Sequence, residues 1–479
     1  MLLSRLLEST GYKGKFKDRE ISFITDNSEN VTSSSLFVCI KGARGDGHRY
    51  GRDAARKGAV IVCEHSIGVS DEIIVKDTRR AYADFCGAFF SNPAKKMKLI
   101  GITGTNGKTT TAFLLKDIFE KNGYKCGLVG TVQDMAGDTV FYSERTTPDS
   151  FELNCLFSKM VKRGCEYCIM EVSSQALSQG RVDGLSFDCA VFTNLTQDHL
   201  DYHGTFENYA KAKKKLFSMC RKGIINIDDE KGLYMTHGEK CQSVTYSLLE
   251  DSADYTAKNI VQKSNGTEYE IIHKNKSIKA EVGIPGLFSV YNSLAAIACA
   301  SQEGIPLEKA VQVLKDSKGV KGRAEVVPTN RNFTVIIDYA HTPDSLENIL
   351  KTIKGFAQGR IITVFGCGGD RDKAKRPVMG EIAVKFSDYL IVTSDNPRSE
   401  NPQEIIKDIL KGCKSAEITV ETIENRRKAI ERALAIGEKD DIILLAGKGH
   451  ETYQILGDKK IHFDEREIVS EYLNREVSR

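Results

Sequence analysis

The run Gly101-Ile-Thr-Gly-Thr-Asn-Gly-Lys-Thr-Thr110 packs glycines, a lysine and adjacent hydroxyls into ten residues behind the apolar Leu99-Ile100. Gly104 and Gly107 let backbone N–H groups close on phosphate oxygens, Lys108 reaches the outer phosphates, and Thr109 offers a hydroxyl to Mg²⁺. Thr105, Asn106 and Thr110 complete the loop. The spacing departs from G-x-x-x-x-G-K-[ST], because Ile102 stands where the first glycine belongs. An apolar lead-in, a glycine loop and the helix-like Ala112 to Glu120 together predict a nucleoside-triphosphate site.

Further chemistry-bearing residues follow. Glu171 ends Tyr167-Cys-Ile-Met-Glu171, where an acid can reach a metal beside the phosphate loop. Asn194-Leu-Thr-Gln-Asp-His-Leu-Asp-Tyr-His-Gly204 is dense in ligand-type side chains. His199 and His203, four apart, could hold zinc on one helical face, but the Glu of H-E-x-x-H is missing between them. In Lys211-Ala-Lys-Lys-Lys215 most lysines read as a solvated helix face. Phosphoryl transfer needs Mg²⁺ and positive charge near the γ-phosphate. A lysine beside the metal would repel it unless neutralised or carbamylated, and the run itself does not say which lysine that is.

Four polar clusters close the chain: Asp338-Tyr-Ala-His341, Gly366-Cys-Gly-Gly-Asp-Arg371, Ser394-Asp-Asn-Pro-Arg398 and Gly447-Lys-Gly-His-Glu451. Each follows an apolar run: Phe333 to Ile337, Arg360 to Phe365, Tyr389 to Thr393 and Asp441 to Ala446. Ligands of doubly wound sheets sit at the carboxyl ends of strands. Arg, Asp, Asn and Glu gathered there suit a small zwitterion.

The elements that must position these residues read as α/β throughout. Ser35 to Ile40 and Ala59 to Cys63 are strands and Tyr50 to Lys57 a helix, before Asn92-Pro93 and Lys95-Lys96 break the pattern. From Lys98 the rhythm is strand then helix. Tyr167 to Val172, Asp188 to Asn194 and Gly223 to Ile227 are apolar without alternation, as strands buried on both faces are. Residues 242–283 read as an antiparallel side sheet, and Asn292 to Ser301 as a small-residue helix. Domains are expected at 1–96 (small α/β), 97–323 (a P-loop-type parallel sheet with flanking helices) and 324–479 (Rossmann-like, doubly wound).

Composition agrees with three domains, since 479 residues suffice at about 150 each. Lys and Arg number 68 against 65 Asp and Glu, a net +3, so no global field argues for nucleic acid or a membrane surface. No apolar run reaches the ~18 residues of a membrane span, and Met1 to Lys15 does not read as a signal peptide. Thirteen cysteines, several in apolar runs, fit reduced buried thiols in the cytoplasm. Cys165 and Cys168 lack a second pair for zinc and read as part of a buried strand.

Taken in order, Gly101 to Thr110, Glu171-Val-Ser-Ser174, Asn194 to His199, Gly322-Arg323 and Asp338-Tyr-Ala-His341 resemble the Mur ligase motifs, and the resemblance spans essentially the whole chain. Asp201-Tyr-His-Gly204 and Asp395-Asn-Pro-Arg398 resemble the branch that adds the third peptide residue. The resemblance implies an ATP-dependent, ADP-producing ligase of peptidoglycan synthesis, hence of cell-wall growth, cell shape and division. In it, the D-glutamyl carboxylate of UDP-MurNAc-L-Ala-D-Glu becomes an acyl phosphate that an amine attacks. Lys108 would stabilise the transferring phosphoryl group and Thr109 and Glu171 would hold Mg²⁺. His199 would serve a second metal position with Lys213, carbamylated by CO₂. Asn292, Arg323 and Asp338 match nucleotide-binding positions. Ser28, Thr146, Thr147, Ser173, Gln179 and Arg181 match the UDP-sugar side of the N-terminal domain, although Asn27, Glu29 and Gln175 depart from the pattern. A cytoplasmic monomer is implied. Folylpolyglutamate synthases share the loop, and a non-catalytic Mur-like subunit is a further alternative, though one expected to lack the catalytic side chains.

The amine is a question of charge. Meso-diaminopimelate carries a distal carboxylate as well as an ammonium, whereas lysine, the alternative, carries only the ammonium. A planar Arg grips a carboxylate with two bonds. Arg398 resembles that determinant, with Arg371, Asp395, Asn396, Gly447 and Glu451 as companions and Glu451 facing an ammonium. Diaminopimelate is the expected amine.

Overall fold

The computed structural model describes residues 1–14, 16–42, 45–263, 266–274, 276–317, 319–414 and 417–477, without the side chains of Asp201, Glu476 and Val477. Asp201, noted above as a motif residue, is therefore described by its backbone alone. Two compact units emerge, Met1–Lys108 with Phe119–Thr245, and Thr109–Ile118 with Tyr246–Arg479.

The first unit holds two sheets. Phe23–Thr25, Ser35–Val38, Val60–Cys63 and Glu72–Ile74 pair in that order, all parallel. The larger sheet runs Cys220–Asn226, Phe187–Phe192, Lys98–Thr103, Tyr167–Glu171 and Cys126–Val129, again parallel, and ends in antiparallel Asp134–Ala136 and Thr139–Phe141. Tyr167–Glu171 is buried at every residue. That is why these runs lack alternation: helices cover both faces and neither face meets water. The register pairs Ile102 with Glu171, so the strand before the phosphate loop and the strand bearing the acid end side by side.

In the second unit Tyr255–Lys263, Gly266–His273 and Lys276–Val282 form the antiparallel sheet expected within 242–283. One correction applies: Tyr246 and Ser247 pair parallel to Tyr255 and Thr256, because the intervening residues are a crossing loop rather than a hairpin. The small-residue helix Leu287–Gln302 buries Ala295 through Ala300, and Ser293 meets the Tyr269 hydroxyl at 2.7 Å within that contact.

The last sheet orders Glu325–Val327, Thr334–Asp338, Ile442–Ala446, Ile361–Phe365, Tyr389–Val392 and Thr419–Thr422, parallel except for the first. It is doubly wound. Val335 and Ile337 pack with Leu434 and Leu473 on one face, while Ile336 packs with Leu346 and Met379 on the other. Each buried Ile, Leu or Val side chain contributes roughly 1.5–3 kcal/mol. None of the thirteen cysteines forms a disulfide, and ten are buried. Among the described residues no helix is long and apolar enough to cross a membrane.

Candidate active site

The phosphate loop is shaped by its glycines. At Gly104 φ is +150°, and a Cβ there would stand 1.9 Å from the Thr193 hydroxyl. Gly107 is left-handed, at φ +85°, and opens the helix Lys108–Lys121 with no side-chain cap. An uncapped first turn suits an anion, because the helix dipole and its N–H groups both face it. Thr105 and Asn106 turn elsewhere: their backbone N–H groups donate to the Asn194 carbonyl and Asn194 Oδ1, each at 2.9 Å. These two residues staple the loop to the Asn194–Thr196 segment. Lys108 Nζ lies over the loop, donating to the carbonyls of Gly104 and Thr105 at 2.9 Å.

Lys213 is 1 % exposed and donates from Nζ to the same Gly104 carbonyl at 2.7 Å. Burial, reinforced by the Lys108 charge, pushes its pKa well below the ordinary lysine value. That shift favours the uncharged amine, the form able to take up CO₂. The Tyr209 ring lies 4.4 Å from Lys213 Nζ and 6.1 Å from the His199 ring, between the two expected metal-side residues. His199 has φ +53° and precedes the short helix Leu200–His203, while His203 Nε2 meets the Ser174 hydroxyl at 2.9 Å. His199 therefore stands before the helix that carries His203 rather than within it.

Glu171, 1 % exposed, accepts from Thr131 N at 2.9 Å on Oε1 and from Thr131 Oγ1 at 3.0 Å on Oε2. Carboxylate oxygens such as these are hard donors of the kind Mg²⁺ prefers. Gly130 leaves room for that carboxylate, since a Cβ there would sit 2.5 Å from Oε1. Asp134 pins the Gly130 N–H at 3.1 Å, and burial raises its carboxyl to about 7. Thr131 and Asp134 were missed in the sequence reading, because nothing in a Gly-Thr or an isolated Asp signals a carboxylate-holding loop.

Polar bonds lead from Glu171 toward the sugar side. Thr146 Oγ1 meets Thr131 Oγ1 at 3.0 Å. Thr147 Oγ1 donates to the Glu171 carbonyl at 2.8 Å and accepts from Ser173 N at 3.0 Å. Arg181 donates to the Thr147 carbonyl at 2.8 Å and to Gln179 Oε1 through Nε and Nη2. Gln179 and Arg181 line a cavity of about 450 Å³ that Arg79, Arg145, Asp26 and Tyr82 also face. Three arginines there suit a diphosphate. Ser28 does not line it, although its neighbours Asn27 and Asn30 do.

Within the second unit, Asn292 is buried and accepts from Thr111 Oγ1 at 3.4 Å. Gly322, at φ +71°, lies against another loop: a Cβ would fall 2.1 Å from His450 N. The next residue, Arg323, has its guanidinium 4.9 Å from the Tyr339 ring centre and its buried Nε without a hydrogen-bond partner. A buried arginine nitrogen left open fits a phosphate or ribose oxygen. Asp338 Oδ2 accepts from Ala324 N at 2.7 Å; burial raises its carboxyl and the Arg323 charge opposes that.

At the carboxyl ends of the last sheet the expected amine residues converge. The glycines of Gly366-Cys-Gly-Gly369 carry the Asp395–Arg398 loop directly: Cβ atoms on Gly366 and Gly369 would stand 2.2 Å and 1.9 Å from the carbonyls of Thr393 and Pro397. Arg398 lies across them, with Nη1 2.7 Å from the Gly369 carbonyl. Arg371 is exposed nearby, its Nη1 3.3 Å from the Asp370 carbonyl. Asp395 Oδ2 is buried without a partner and faces Gly447, whose φ is +114°. Asn396 Nδ2 donates to Glu451 Oε2 at 2.9 Å. Lys448, wholly buried, donates to the same Glu451 oxygen at 2.9 Å and to Asn396 Oδ1 at 3.3 Å. Glu451 thus already holds one ammonium. Within Gly447-Lys-Gly-His-Glu451 the sequence context does not distinguish the buried Lys448 from a solvated lysine.

Family models described as the Mur ligase middle domain, the Mur ligase glutamate ligase domain and the Mur ligase family catalytic domain match residues 102–300, 322–449 and 20–85. The chain is similar to UDP-N-acetylmuramoyl-L-alanyl-D-glutamate--2,6-diaminopimelate ligase 1 of Clostridium acetobutylicum, at 50% identity over 95% of both chains. The Caldanaerobacter subterraneus ligase of that name, without the numeral, is also 50% identical over 95% of both. A solved structure of a ligase with this name superposes with a TM-score of 0.76 at 30% identity, covering all of each chain.

Proposed function

The chain belongs to the Mur ligase family, whose members form amide bonds at the expense of ATP, and from that premise we propose that it joins meso-2,6-diaminopimelate to the D-glutamyl carboxylate of UDP-MurNAc-L-Ala-D-Glu. The observation that carries this reading is the convergence of Arg398, Asp395, Asn396 and Glu451 at one sheet end. A carboxylate grip and an ammonium acceptor in one place suit an amine with both groups at its far end. The names of the relatives point the same way.

In this reading residues 1–96 bind the UDP-sugar, 97–323 the nucleotide, and 324–479 the amine. A glutamyl carboxylate oxygen attacks the γ-phosphorus, the bond to ADP breaks, and an acyl phosphate forms. The neutral amine then attacks the acyl carbon, its surplus proton passes to solvent, and inorganic phosphate leaves with the C–O bond electrons. Lys108 leaves its loop carbonyls for the transferring phosphoryl oxygens. Arg323 and Asp338 orient the nucleotide together with Asn292, and Gln179 and Arg181 orient the UDP-sugar. Thr109 and Glu171 would hold one Mg²⁺, and His199 with a carbamylated Lys213 a second; the ions would supply positive charge against the phosphate oxygens. The carbamate forms when the neutral Lys213 amine bonds the carbon of CO₂ and releases a proton. Thiols outside disulfides suit a reducing cytoplasm, where we place the enzyme as a monomer.

Phosphate release measured with ATP, UDP-MurNAc-dipeptide and each amine in turn tests the proposal. Release with diaminopimelate and little with L-lysine is expected. Preference for L-lysine would reverse the amine assignment, and silence with both would sink the ligase reading.

A further inference from the structure

Arg398 is a non-glycine residue at φ +52°, a left-handed backbone that persists only where neighbours hold it. The holder is a hairpin that no sequence motif announced, Tyr453–Leu456 paired antiparallel with Lys459–His462. Arg398 N donates to the Ile455 carbonyl at 3.2 Å, and Gly457 N donates to the Arg398 carbonyl at 2.9 Å. Both backbone groups of the arginine are thereby bound to the hairpin. The grip extends along the loop. Ile455 N donates to Asn396 Oδ1 at 2.9 Å, and the Gln454 side chain, 7 % exposed, donates from Nε2 to the Asp395 carbonyl at 2.5 Å. Consecutive hairpin residues thus fix Asp395, Asn396 and Arg398, while the Arg398 guanidinium makes one hydrogen bond among the described residues, to the Gly369 carbonyl.

We propose that this hairpin is the positioning element for amine selection, with Gln454 and the Gly457 turn holding Arg398 where its fork meets the distal carboxylate. The inference rests on the substrate reading above and deepens it. Neither hairpin residue touches the amine; both act through the backbone of Asp395–Arg398. A bidentate arginine contact depends on orientation, so loosening its backbone costs selectivity before it costs turnover.

The test compares kcat/KM for meso-diaminopimelate and L-lysine in the full-length enzyme. Gln454→Leu should lower the diaminopimelate-to-lysine ratio about tenfold, through KM for diaminopimelate, with KM for ATP unchanged. In an Arg398→Ala background the same change should add less than twofold, since coupled residues are non-additive. Gly457→Val, β-branched at φ +59°, should lower the ratio about fivefold, whereas Gly457→Asn, which tolerates that backbone, should stay within twofold of the parent. Equal losses for both amines, full additivity with Arg398→Ala, or identical behaviour of the valine and asparagine variants would overturn the proposal. If Arg398→Ala alone left diaminopimelate use intact, the substrate reading itself would fall, and the hairpin's role with it.

Discussion

Lys213 shows how much one residue's setting decides. It lies in a run of lysines, yet it alone of that run is buried with its Nζ on the Gly104 carbonyl. Lys213→Ala should lose activity by at least about a hundredfold, the scale of removing one preorganised charge stabiliser, and added short-chain carboxylic acids should restore part of it. Full activity in the unrescued variant would remove Lys213 from the mechanism. Arg398→Ala should cut kcat/KM for diaminopimelate roughly 10- to 100-fold, the worth of a charged hydrogen bond at about 1.5–3 kcal/mol, while lysine use changes little. Assays with both amines decide this. Residues such as Lys108, Glu171 and Arg398 were legible because each sits at a fixed offset from a turn or strand end. Thr131, Asp134 and Lys448 were not, because what marks them is a partner forty, four or three residues away.

The elements were read well where burial dictated composition. Tyr167–Glu171 and Ile442–Ala446 are apolar at nearly every position because helices cover both faces, and the sequence pattern located each to within a residue or two. Glu325–Val327 and Thr419–Thr422 escaped notice, since edge strands are half-exposed, short and polar. The hairpin Tyr453–Leu456 with Lys459–His462 was hidden for the same reason. The phosphate loop makes a prediction at this scale. Gly104→Ala cannot keep φ +150° or clear the Thr193 hydroxyl, so the strand-to-helix turn must shift. A loss of about 2 kcal/mol or more in urea unfolding is expected, with weakened nucleotide binding by calorimetry. A variant with parental stability and affinity would show that the turn relaxes freely.

For the molecule as a whole, buried charge sets how the second unit answers mutation and acid. Arg426 and Glu465 are both fully buried and 2.8 Å apart, with Arg426 Nη2 also on the Ala446 carbonyl. Glu465→Ala should cost about 3–5 kcal/mol by stranding the arginine, whereas replacing both partners with apolar residues of similar volume should cost far less. Chemical denaturation of the single and double variants distinguishes these outcomes. Burial, with Arg323 and Arg466 nearby, lowers the His450 imidazole to about 4. Between pH 6.5 and 4 the unfolded chain therefore binds a proton that the folded chain refuses, and stability falls as pH falls. Glu400, held at about 2 by hydrogen bonds from Arg376, extends the decline: its contribution is present above the ordinary carboxyl range and is lost toward pH 2. The thermal midpoint should drop from pH 7 to 4, and His450→Gln should flatten the upper part of that slope.

The buried thiols give this molecule a built-in clock. Cys39, Cys63, Cys86, Cys126, Cys165, Cys168 and Cys189 are buried in the first unit, and Cys299, Cys367 and Cys413 in the second. A thiol reagent can reach each only when its surroundings open, so the order in which these ten are alkylated, read by mass, times the unfolding of each unit without an added label. Nucleotide added before the reagent should slow whichever set belongs to the structure it tightens.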